Sequence, residues 1–114
     1  MEAEEIVELI PEWADGLIIV PTKGQKGWFF IVYPLKKSQF DDSYFFSRSW
    51  KRVWVEDYEV VKNLGRVVVL RDGSIHKYRR GKGKSKYITI HIIEGEGEEE
   101  RERMEEMGKI RRKK

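Results

Sequence analysis

The run RVVVLRDGSIHKYRR, residues 66–80, limits the fold more tightly than any other part of the chain. Two stretches rich in strand-forming residues flank Asp72-Gly73, a dipeptide that supplies the positive-φ conformations of a two-residue type I′ turn. A hairpin is expected there, with Leu70 opposite Ile75, Val69 opposite His76 and Val67 opposite Tyr78. KYITIHIIE, residues 86–94, reads as a third strand and completes a meander. Pairing Arg79 with Lys86 sets Tyr78 opposite Tyr87 and Ile75 opposite Ile90. One face then carries Val68, Leu70, Ile75, Ile88, Ile90 and Ile92 and reads as core. The other collects His76, Tyr78, Tyr87, Thr89 and His91 together with Val67, Val69 and Ile93.

Elsewhere the pattern alternates between helix and strand signals. Ile6, Val7, Leu9, Ile10 and Trp13 share a helical face, which predicts a helix over 2–14 that stops at Gly16. LIIVP (17–21) and WFFIVYP (28–34) read as strands joined by a glycine-containing loop, and a short strand is expected around 44–47. Trp50, Val53, Trp54, Tyr58, Val61 and Leu64 fall on one helical face, with Gly65 placed to terminate it. Period outweighs propensity over so long a segment, so a middle helix is expected at 49–64. The fold expected is α+β, an antiparallel sheet of about five strands with an N-terminal helix and a middle helix packed on it. The alternatives are a winged helix, which needs a second helix before residue 49, and a small all-β barrel. Residues 1–97 would form the single globular domain, and 98–114 a charged helix and basic tail with too narrow an apolar stripe to dock firmly.

Composition bounds the function. The 114 residues suffice for one domain with its own core. There is no cysteine, which excludes disulfides and thiolate metal sites and points to a cytoplasmic protein. No apolar run is long enough for a membrane helix, and the acidic N-terminus does not fit a signal peptide. Charged residues make up 38% of the chain and amides are scarce, a bias shared with hyperthermophilic proteins. The net charge of +3 conceals segregation: residues 66–91 hold eight bases against the single acid Asp72, whereas residues 1–15 hold six acids and no base.

The basic block peaks in Lys77, Arg79, Arg80, Lys82, Lys84 and Lys86. Gly83-Lys84-Ser85 within it is not a nucleotide-phosphate loop. Tyr78 stands where that motif needs its first glycine, and a strand follows where it needs a helix. The lysines and arginines instead border a sheet face bearing Tyr78, Tyr87, His76 and His91, the composition of a base-stacking platform with a cationic rim. The plainer account makes Tyr78 and Tyr87 an ordinary cross-strand pair. His76 and His91 supply two ligands where zinc needs three or four, so no metal is expected. Asp41, Asp42, Glu56, Asp57 and Glu59 offer carboxylates, but Glu59 and Lys62 on a helix would simply pair at the surface. The reading that results is a non-enzymatic nucleic-acid-binding protein without a cofactor. Single strands are favoured over duplex, membranes are not involved, and an uncovered sheet edge would let two chains pair. A small protein-interaction regulator of viral or mobile-element type and a small metal-dependent nuclease are the alternatives.

Overall fold

A computed structural model of the chain describes residues 6–48, 51–55, 65–81 and 87–106. The apolar runs all become strands: β1 (Gly16–Gly24), β2 (Gly27–Lys37), β3 (Tyr44–Phe46), β4 (Lys51–Val55), β5 (Val67–Leu70), β6 (Ile75–Arg80) and β7 (Ile88–Ile93). A 3-10 turn at Ile6–Leu9 precedes them and one helix, α1 (Glu98–Glu106), follows. The strand order is β1-β5-β6-β7-β3-β2-β4, and β1 also pairs with β2. The six strands other than β4 therefore close on themselves as an antiparallel barrel. β2 is long enough to serve two neighbours on one edge: residues 28–32 pair with β4 and residues 36–37 with β3.

The strands alternate between two cores. Ile18, Leu35, Val68 and Ile90 point into the lumen, with Val20, Tyr33, Tyr44, Phe46, Leu70, Tyr78 and Ile92 packed against them. Residues of the opposite parity, among them Leu17, Ile19, Phe30, Val32, Val67 and Val69, face outward. They are covered by Ile6, Leu9 and Ile10 of the N-terminal segment and by Met104 of α1. This explains why LIIV and VVV are continuous apolar runs: Leu17, Ile18, Ile19 and Val67, Val68, Val69 are buried on both sides of their strands.

The expectation of an α+β sheet with two packing helices is overturned, and the winged helix with it. The only α-helix among the described residues is at the C-terminal side. In the N-terminal segment only part of the expected apolar face is buried: Ile6, Leu9 and Ile10 are, on and just after a short 3-10 turn, whereas Trp13 is exposed and no helix over 2–14 forms among the described residues. Pro11 has no N–H to extend a helix and crowds the preceding turn. In the middle segment residues 51–55 are strand β4, so the helix expected across 49–64 does not form there; residues 49–50 and 56–64 lie outside the described residues. Propensity of Val and Trp for strand prevails because β2 offers an edge to pair with.

The registers of the meander also differ from expectation. The hairpin loop is three residues, Arg71-Asp72-Gly73, with Gly73 at φ +84° and its N–H donating to the Leu70 carbonyl at 2.9 Å. Ile75 consequently pairs with Val69 rather than Leu70. Between β6 and β7, Tyr78 pairs with Ile92, five residues beyond Tyr87. Odd shifts exchange faces. Tyr78 thus joins Ile90 and Ile92 in the lumen, while Ile75 joins the outer core.

The helix docks despite its sparse apolar content. Met104 is fully buried and Arg101 donates to the Gly73 carbonyl. Buried Glu100 lies 3.5 Å from Lys77 Nζ.

Candidate functional site

One end of the lumen opens into a cavity of about 430 Å³, bounded by Tyr33, Phe46, Tyr78, Arg66 and Arg80 above the apolar floor of Ile18 and Ile90. This volume lies in the range of small-ligand sites, about 300–1,000 Å³. Three strands bring the aromatic rings together. Tyr33 comes from β2, Phe46 from β3 and Tyr78 from β6, each at an inward position. The Tyr33 and Phe46 rings meet with centroids 5.3 Å apart in a tilted arrangement, which braces both. Arg80 follows Tyr78 at the next inward position, and Arg66 stands immediately before β5. Burial pushes the Tyr78 phenol above its ordinary range, opposed by the Arg66 charge, a hydrogen bond from Arg66 and the Arg80 charge. The ring is neutral at physiological pH, and the arginines set the sign of the mouth.

Tyr44, further along the lumen, has a cation beside it: Lys37 Nζ lies 6.0 Å from its ring centroid. The Tyr44 phenol is also held high, first by burial and then by the charges of Asp15, Asp72, Asp42 and Glu94. The described mouth residues include two arginines and no carboxylate.

The residues singled out in the sequence are distributed over several places. Tyr78 and Arg80 line the mouth. Arg79 pairs with His91 on the outer face. Lys77 faces Glu100 of α1. His76 lies opposite Val68, with its Nε2 2.9 Å from Ser74 Oγ. Tyr87 is outside the barrel, its ring edge-on to Phe45 at 5.5 Å. Lys82, Lys84 and Lys86 lie outside the described residues, although Arg80 and Ile88, which flank that segment, both line the cavity. The single platform bearing two tyrosines and two histidines is therefore not formed, because the register separates Tyr78 from Tyr87 across the barrel wall. Arg66, Tyr33 and Phe46 are the cavity residues missed in the sequence. Arg66 was counted within the basic block 66–91 but not singled out, and the inward alternation of Tyr33 with Leu35 was the only hint of the aromatic rings.

Of the carboxylates, Asp41 accepts hydrogen bonds from the Ser43 N–H at 2.9 Å and the Ser43 hydroxyl at 2.5 Å, which hold its carboxyl below the usual range. It is thereby engaged in shaping the turn before β3. Glu56, Asp57 and Glu59 lie outside the described residues. Among the described residues no group of three His, Asp or Glu side chains could hold a metal ion, and no helix is long and apolar enough to cross a membrane. Comparison with known proteins gives no match: no family model, curated protein or solved structure is similar enough to this chain to lend it a function.

Proposed function

We propose that this is a non-enzymatic nucleic-acid-binding protein that takes single strands at the open end of its barrel. The observation that carries the reading is the union of three aromatic rings and two arginines around a cavity, with a lysine-rich stretch at 81–87 following directly in the sequence. Base faces stack on aromatic side chains whatever their sequence, at about 1–3 kcal/mol per base, and guanidinium groups pair with phosphate. A duplex hides those faces, so the chemistry favours unpaired nucleotides. The lysines of the segment add sequence-independent attraction for the backbone. With no cysteine to favour an oxidising compartment, we read the protein as cytoplasmic.

The test is a titration of labelled single- and double-stranded oligonucleotides at several salt concentrations. Wild-type protein is expected to prefer the single strand and to lose affinity steeply with salt. Arg66→Gln with Arg80→Gln should weaken binding to all sequences and flatten the salt slope by roughly one for each phosphate no longer neutralised. Neutralising Lys82, Lys84 and Lys86 should flatten it further. Equal affinity and slope in the wild type and in both sets of variants would refute the reading.

A further inference from the structure

A second cavity, of about 450 Å³, adjoins the mouth on the outside of the barrel. Its walls are Trp13, Pro34, Phe45 and Tyr87, with Lys36 and Arg48 beside them and no acid among the described lining residues. The two cavities share Phe46 and Ser47. Strand alternation explains the adjacency. At the ends of β3 and β7, Phe46 and Ile88 turn inward to the mouth, while Phe45 and Tyr87 turn outward.

Trp13 is the unusual member. Its backbone is firmly braced: Arg71 donates to the carbonyls of Ala14 at 2.7 Å, Pro11 at 2.5 Å and Glu12 at 2.9 Å. Lys36 Nζ donates to the carbonyl of Trp13 itself at 2.8 Å. Yet the indole is 55% exposed, and Tyr87 across the groove is 43% exposed. A large ring carried on a braced backbone, as Trp13 is, is partly preordered for contact, since little loop freedom remains to be lost on binding. Cations at the border and a flat aromatic lining fit a chain of bases joined by phosphates better than they fit an apolar peptide.

We propose, resting on the reading above, that a single strand bound at the mouth passes over the rim at Ser47 and lays its next bases against Trp13, Phe45 and Tyr87, so that the two cavities form one track. The strand's phosphates then fall between the arginines of the mouth and the Lys36–Arg48 border of the groove.

The experiment uses oligothymidylates of increasing length, with affinity read from a fluorescent label on the strand and groove occupancy from tryptophan emission. Short strands should bind in an Arg80-dependent way and leave the emission nearly unchanged. Longer strands should bind more tightly and quench it, and Trp13→Phe should abolish the length-dependent quench. Trp13→Ala and Tyr87→Ala, both at exposed positions, should each cost the longer strands about 5- to 150-fold in affinity and flatten the length dependence, with the melting temperature checked alongside. Affinity independent of length and of both groove substitutions, with Arg80 still required, overturns the track and leaves the mouth as the site. A proline-rich peptide that perturbs Trp13 where no oligonucleotide does would assign the groove to a peptide and equally overturn it. Binding of no oligonucleotide at all refutes both readings.

Discussion

Tyr78 sits where structure and proposed function meet, and its proton is a reporter of both. Burial raises its pKa above the ordinary 10.0, with Arg66 and Arg80 pulling the other way. Tyr44, in the same lumen, is raised by burial and by carboxylates. A phenol whose pKa is higher folded than unfolded binds its proton more tightly in the fold. Its contribution is fully present below the unfolded pKa near 10 and is lost as pH rises through the folded value. Stability should therefore be flat around neutrality on account of these groups and decline in the alkaline range. In an absorbance titration of the phenolates Tyr44 and Tyr78 are the late-ionising groups expected among the described residues, and Tyr78→Phe should reduce the late phase by one group. An undiminished late phase in Tyr78→Phe would mean that the ring does not lie in the lumen. Tyr78 and Arg80 were legible as candidates from the basic run that contains them. Arg66 shared that run without standing out, and Tyr33 and Phe46 were not legible, because they come near the others only when strands distant in sequence close the barrel.

At the scale of elements, the junction between the meander and α1 shows why strands were readable while their registers were not. Every apolar run read as strand in the sequence is a strand. Register is usually dictated by which side of a strand is apolar, but Val67-Val68-Val69-Leu70 is apolar on both sides. The Asp-Gly turn could not arbitrate, since glycine serves equally in a two-residue loop and at the end of a three-residue one. α1 then depends on the register that forms. Gly97, at φ +137°, passes so close to β6 that a Cβ there would lie 2.3 Å from the Ile75 carbonyl oxygen. Lys77 N–H donates to the Glu96 carbonyl at 3.1 Å beside it. Gly97→Ala is expected to cost about 1–3 kcal/mol through backbone strain and to loosen the helix from the sheet. Chemical denaturation and the helical signal in circular dichroism would register it. A loss below about 0.5 kcal/mol would mean that the close approach is not maintained.

Across the whole molecule, β1, β2 and β5 each contribute to both the lumen and the outer core. Neither core can lose its packing without exposing the other face of the same strands, so the two should melt together. The lumen has the added role of supporting the mouth, since Ile90 forms part of the floor beneath Arg80 and the aromatic rings. Ile90→Ala removes a side chain with no exposed surface and should cost about 2–5 kcal/mol. Met104→Ala, equally buried but in the outer core, should cost a similar amount. Each substitution should shift one transition, seen identically by tryptophan fluorescence and by circular dichroism. Their consequences for binding differ. Ile90→Ala should also weaken single-strand affinity at temperatures where it remains folded, because the floor of the mouth is lowered, whereas Met104→Ala should not. Two resolved transitions, or a cost of less than about 1 kcal/mol for Ile90→Ala, would show that the barrel lumen does not hold the fold together and that the ring of strands does not close as described.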